Sequence, residues 1–522
     1  MHRIVATLAV LGALALPAAA QTLSFGQPEL PSSLDSADVT DVYSLAVAIN
    51  VTEPLIGYGS DDGALQPRLA TSWTPNDDAT VWTLTLREGV VFHDGTPFDA
   101  EAVRFNLERW NDPDHPHGHR ADGKAYVPWR WVFGGFGEES LLEEVRVRDA
   151  HTVELVLREA IGFLPSLLAA PFFQLDSPAA VRAAGPAYGT QAVGTVGTGP
   201  FRFERWDEGE RIVLVRHDGH WDGPAGVDRV VVRGVPEASA RLAELRAGTL
   251  DIALALAPDA IPQIEARPEL DLVSAEAELN VGFLGIHQAN PPLDDARVRR
   301  AIIHAIDREA LLEAFHGDTA TLSVDFLPPT LWGHPDLEPH AYDPGRARAL
   351  LAEAGHPDGF ATELWYYTVA DPLYPAPRAM AEAIATYLAD VGIEVELKTK
   401  DFTAYLAERS SGAFPLFLSG WAGDYPDPDT FLYTFFGPSR YASYGWDDME
   451  VVELVERARR APDRAQRAEL YRRVLRRVHE AVPSVPLVHA SSVHGVQRDV
   501  EGFAAGPMGP GSTPLTDVRK LD

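Results

Sequence analysis

Apolar and polar residues alternate from Val81 to Leu86, with Trp82, Leu84 and Leu86 on one face and Thr83 and Thr85 on the other. This period of two predicts a half-buried strand. After the turn-like His93-Asp94-Gly95-Thr96-Pro97 the period lengthens. Asp99 is placed to cap a helix running to about Trp110, with Val103, Leu107 and Trp110 as its buried stripe. A second helix follows Asp294-Asp295, where Val298, Ala301, Ile302, Ala305 and Ile306 recur at helical spacing and Arg299, Arg300 and Arg308 fall outside the stripe. A third, near Arg378 to Val391, buries Met380, Ile384, Tyr387 and Leu388. Gly392 ends it, and Ile393, Val395 and Leu397 begin a strand. The last strong helix runs from about Asp463 to Ala481; Pro483 stops it and a strand, Val485 to His489, follows. Strand–helix–strand succession in both halves predicts α/β lobes.

The chain has 522 residues, enough for two or three domains. Its first twenty residues have the pattern of a secretory signal peptide: Arg3, an apolar run from Ile4 to Leu16, then Pro17-Ala18-Ala19-Ala20, with cleavage expected after Ala20. The apolar run is shorter than the ~20 residues that span a bilayer. There is no cysteine, which excludes disulfides, zinc thiolates, a Cys nucleophile and a lipid anchor on an N-terminal Cys. A periplasmic protein without a membrane anchor is expected. The formal net charge is 44 − 76 = −32, so nucleic acid and anionic lipid are poor partners.

Four blocks carry a resemblance. The first comprises Glu53-Pro-Leu-Ile-Gly-Tyr58, Leu69-Ala-Thr-Ser-Trp73, Val81-Trp-Thr-Leu-Thr-Leu-Arg-Glu-Gly-Val-Val-Phe-His-Asp-Gly95 and Pro97-Phe-Asp-Ala-Glu-Ala-Val103. The second is Gly197-Thr-Gly-Pro-Phe201, followed by His220-Trp-Asp-Gly223 and Leu245-Arg-Ala-Gly-Thr-Leu-Asp251. The third is Leu279-Asn-Val-Gly-Phe283 with Pro292-Leu-Asp-Asp-Ala-Arg-Val-Arg299, Pro328-Pro-Thr-Leu-Trp332 and Tyr342-Asp-Pro344. The fourth is Gly420-Trp-Ala-Gly-Asp-Tyr-Pro-Asp-Pro-Asp-Thr-Phe431. In this order they resemble the family 5 extracellular solute-binding proteins of ABC importers, and the third and fourth are similar to the dipeptide-binding branch.

The resemblance implies a periplasmic-binding-protein type II-like α/β fold of two lobes with a ligand cleft between them. Lobe I would comprise residues 21–282 and 489–522, with an inserted subdomain at about 60–190; lobe II would be 283–488. It also implies a monomer that takes up a peptide or other small molecule and passes it to the permease subunits of an importer, without a cofactor.

Asp424 is the leading site residue: in peptide-binding relatives, the acid of the Gly-Trp-x-Gly-Asp block receives the ligand's α-ammonium. A carboxylate on a cleft wall is suited to that role, because closure excludes water and strengthens the charge-assisted bond. Gly420 and Gly423 shape the same block, and Trp421 and Tyr425 are candidate cleft walls or core residues. Asp427 and Asp429 read as turn and cap devices. At Asp371 the dipeptide-binding relatives carry an Arg that grips the ligand's C-terminal carboxylate. Here the sign is reversed, which points to a longer peptide, a capped or cationic C-terminus, or a polyamine-like ligand. The alternatives are that Asp371 caps a turn and that Arg378 supplies the missing positive charge.

His115, His117 and His119 alternate in a Pro- and Gly-rich loop. Imidazoles suit divalent nickel, copper or zinc, yet such a loop fixes no ligand geometry, so a solvent-facing loop and no metal are expected. His287 is a second candidate for a pocket polar group. The chain has no Gly-x-Ser-x-Gly, His-Glu-x-x-His or Gly-Lys-Ser/Thr phosphate loop. A binding protein rather than an enzyme is expected. The rival readings are a receptor for a metal chelate, haem or oligosaccharide, and a periplasmic hydrolase using an acid pair such as Asp371 and Asp424.

Overall fold

The computed structural model describes residues 21–59, 64–275, 278–438, 444–509 and 512–521. The leader expected at residues 1–20 lies outside the described residues.

Two sheets organise the chain. One is seven-stranded, in the order Phe201–Asp207, Arg211–Arg216, Arg229–Gly234, Thr22–Gln27, Ile252–Leu256, Val493–Gln497, Leu270–Val273. Its strands come from three separated stretches of sequence. Thr22–Gln27 pairs in parallel with both Arg229–Gly234 and Ile252–Leu256, and Val493–Gln497 runs antiparallel between Ile252–Leu256 and Leu270–Val273. The other sheet is six-stranded, in the order Ala320–Leu322, Ser484–Ala490, Asn280–Ile286, Leu416–Ala422, Phe360–Tyr367, Ile393–Lys400. All of its strands lie in one continuous stretch. Asn280–Ile286 and Ser484–Ala490 are buried at every position, as strands covered on both faces must be.

A third, antiparallel sheet of four strands joins Ala70–Pro75, Val81–Leu86, Thr152–Leu157 and Leu142–Asp149. Trp82, Leu84 and Leu86 face its core, and the helix Ala100–Asn111 adds Val103, Leu107 and Trp110. The Asp99 carboxylate caps that helix by accepting the Ala102 amide at 2.9 Å. The remaining expected helices form as Ala296–Ala305, Pro377–Ala389 and Arg464–Ala481, each within two residues of its expected start. Gly392 takes a φ of 94° and turns the chain into Ile393–Lys400, a conformation glycine adopts without a Cβ clash.

Two arginines depart from expectation. Arg299 and Arg308, read as lying outside the apolar stripe, are buried. Arg299 donates to the carbonyls of Leu293, Asp294, Ala481 and Val482. Arg308 donates to those of Ser323, Pro486 and His340. A guanidinium has five donors in a rigid fork, so it can satisfy several carbonyls left over where elements end.

The four-stranded subdomain also touches the six-stranded unit. The Gly162 amide donates to the Arg459 carbonyl at 2.7 Å. The Phe163 ring stacks on Tyr425 with centroids 5.8 Å apart, and the Ser166 hydroxyl donates to Asp427 at 3.3 Å.

Candidate functional site

Between the two larger sheets lies a cavity of about 1040 Å³. Tyr43 and Arg241 line it from the seven-stranded side, and Trp131 from the helix Val127–Phe133 of the four-stranded subdomain. Tyr367, Asp371, Arg409, Ser419–Ala422 and Asp424 line it from the six-stranded side. Glu278 and Ser492, where the chain passes between the sheets, line it as well. A cavity this size, walled by aromatic rings and a few polar groups, is suited to a small organic ligand.

The Asp424 loop is built by interrupted pairing. The strand Leu416–Ala422 runs antiparallel to Asn280–Ile286, with Ala422 opposite Asn280. Pairing continues one step further, as the Gly423 amide donates to the Leu279 carbonyl at 2.6 Å. Pro426 and Pro428 then follow, and proline has no amide to extend a ladder. The Asp424 amide donates to the Thr430 hydroxyl at 3.1 Å, and Asp427 accepts the Asp429 amide at 3.0 Å. Fixed on both sides, the loop leaves the half-buried Asp424 carboxylate on the cavity wall. Among the described residues no cation pairs with Asp424, and burial alone pushes its pKa up to about 7.

Two further acids share the cavity. Asp371 accepts the Tyr367 hydroxyl and the Tyr374 amide, both at 2.8 Å, so it closes a turn and lines the cavity at once. Burial raises its pKa. Glu278 accepts the Ser492 amide at 2.8 Å, and burial pushes its pKa up to about 7. Sequence reasoning missed Glu278, although it directly precedes the Leu279-Asn-Val-Gly-Phe283 block and, by continued register, stands opposite Asp424.

The other expected site residues divide. Gly420 lines the cavity, and a Cβ there would overlap the Leu373 side chain. Trp421 lines it too, its ring edge-on to Phe435 at 5.9 Å. Gly423 is buried behind the wall against Thr430 and Phe431. Tyr425 does not line the cavity: stacked on Phe163, it donates its hydroxyl to Asp429 at 3.0 Å. Asp427 and Asp429 are more than turn and cap devices. Asp427 is gripped by both terminal nitrogens of buried Arg467 at 2.5 and 2.9 Å, and Asp429 faces Arg459 at 3.5 Å. Asp429 does not cap its helix, which begins at Asp429 itself with Pro428 at the cap position. Arg378 projects outward, 78% exposed and paired with Glu382. His287 is buried next to Asn290, outside the cavity wall.

The His115, His117 and His119 rings follow one another at 5.8 and 6.3 Å, half-buried rather than facing solvent, with the first two against Phe105. Among the described residues no group of three or more His, Cys, Asp or Glu side chains is arranged to hold a metal ion.

The family model for bacterial extracellular solute-binding proteins, family 5, matches residues 64–443. The chain belongs to that family. Among family 5 relatives, it is 31% identical to the haem-binding protein A of Haemophilus influenzae, over 86% of this chain and 83% of that one. It is 30% identical to the dipeptide-binding protein of Escherichia coli, over 93% and 92% of the two chains. The solved structure of HbpA2 from Haemophilus parasuis superposes with a TM-score of 0.87 at 26% identity, covering 96% of this chain and 99% of that one. Family 5 structures share the two-lobed architecture, which places the cavity between lobes. No helix among the described residues is long and apolar enough to cross a membrane.

Proposed function

We propose that this family 5 chain is the periplasmic receptor of an ABC importer, that it binds a peptide-like, amine-bearing ligand, and that it delivers that ligand to the permease subunits. In this reading residues 1–20 are a cleaved leader. Lobe I is 21–282 with 489–522 and lobe II is 283–488, to within a few residues at each crossing. The observation that carries the ligand class is Asp424: a carboxylate on the cavity wall with no cationic partner among the described residues. An isolated buried carboxylate is costly, and an ammonium group removes that cost where a neutral or anionic ligand does not. The E. coli relative, named for dipeptides, supports the same class.

Haem is the second reading, because one relative is named for it. His316 and Met508 line the cavity and are residue types that ligate haem iron. Against it stands the Asp424 carboxylate, unpaired with any cation among the described residues, for which haem, bearing no ammonium group, supplies no partner.

Mass spectrometry of the material released when the purified protein is denatured tests both. Short peptides from the wild type, absent from Asp424→Ala, are expected. A porphyrin, chelate or sugar retained equally by the variant would overturn the amine reading.

A further inference from the structure

The cavity's acids account for an amine, but a peptide also ends in a carboxylate, which Asp371 on the same wall cannot hold. Two cations line the wall, Arg241 and Arg409. Arg241 is buried and spent on backbone, donating to the carbonyls of Val235, Pro236, Leu254 and Ala255. Arg409 is different. It stands in the last turn of the helix Phe402–Ser410, half-buried, and its guanidinium donates to the Ser419 hydroxyl. Among the described residues no carboxylate pairs with it. The neighbouring acid, Glu408, is taken by Lys400. A guanidinium with five donors held by one hydroxyl keeps a fork free for an anion. A half-buried cation without a counter-ion is also costly until one arrives.

We infer that Arg409 is the receptor for the ligand's carboxylate and that its place sets an upper limit on the ligand's length. This rests on the amine-bearing peptide reading of the same cavity. The limit follows from the strand. Ser419, which fixes the guanidinium, precedes Asp424 by 424 − 419 = 5 positions. At about 3.3 Å per residue these two points lie no more than about 16 Å apart. An extended peptide spanning that distance has at most about five residues.

The test uses ligand-free full-length mature protein and a mixed-sequence library of peptides of two to six residues. One half of the library has free C-terminal acids and the other C-terminal amides, and retained peptides are read by mass spectrometry. The wild type is expected to keep free-acid peptides of up to about five residues and to lose about 10- to 100-fold in affinity for the amides. Arg409→Gln should lose the same factor on free acids and nothing further on amides, whereas Arg409→Lys should restore part of the preference for acids. Matching circular dichroism spectra and melting temperatures guard against misfolding. If the wild type binds acids and amides alike, or Arg409→Gln keeps the preference for acids, the assignment of Arg409 is wrong while the peptide reading stands. Wild type that retains no peptide at all sinks the peptide reading, and this inference with it.

Discussion

Asp424 and Asp427 stand three positions apart and meet burial in opposite ways. Asp427 is paired with Arg467, with Ser166 and the Asp429 amide completing its hydrogen bonds. Truncation to Ala strands a buried guanidinium, so Asp427→Ala should cost about 3–5 kcal/mol of stability in denaturant unfolding. Asp424 has no such partner, and its pKa rises from 3.8 to about 7. The folded-state value exceeds the unfolded one, so the empty protein gains stability from this proton below about pH 4 and loses it as pH rises through about 7. Glu278, raised from 4.5 to about 7, acts in the same direction. An ammonium ligand requires the ionised form of Asp424 and expels the proton. Affinity should therefore rise between about pH 5.5 and 7, before the ligand's α-amino group deprotonates at about pH 8, with proton release visible as a dependence of the calorimetric heat on buffer ionisation. A flat profile, or the same rise in Asp424→Asn, would remove the amine-acceptor role.

The segment around Gly162 and Phe163 is the one place described where the small subdomain grips the loop that carries Asp424. Phe163 also lies near the guanidinium carbons of Arg459 and Arg467, at 5.4 and 5.2 Å from its centroid. A Cβ on Gly162 would overlap the Ala461 carbonyl oxygen. Gly162→Ala should therefore hold the two units apart: weaker ligand binding, and a larger radius of gyration by small-angle scattering in the liganded state. Unchanged scattering and affinity would mean that this contact does not govern closure. Legibility from sequence follows the range of the interactions. Val81–Leu86 and Ala100–Asn111 could be read because their alternation and their caps are local. Tyr425 could not, because the ring it stacks on lies far upstream. Arg299 and Arg308 misled because a charge beside an apolar stripe reads as surface, while the carbonyls that bury them come from other elements. Asp424 and Gly420 were legible through the block resemblance. Arg409 was not, since its place on the wall depends on how the helix Phe402–Ser410 lies against Ser419.

At the scale of the molecule, the two large sheets are assembled by different rules. The six-stranded sheet draws all its strands from residues 280–490, whereas the seven-stranded sheet needs Thr22–Gln27, the run from Phe201 to Val273, and Val493–Gln497. The last of these sits between Ile252–Leu256 and Leu270–Val273, so until it is in place Ile252–Leu256 is paired on one side only, with Thr22–Gln27, and Leu270–Val273 has no partner in the sheet. A chain made from its N-terminus therefore leaves both sheets unfinished until almost the whole polypeptide is available, because Ser484–Ala490 and Val493–Gln497 are late in the sequence and each sits between two earlier strands. Closing the seven-stranded sheet late is a long-range, slow step, and until then two strands present open edges to other molecules. Under the export proposed for this chain, such a late final step is an advantage: the ligand-binding shape cannot set before Val493–Gln497 has emerged.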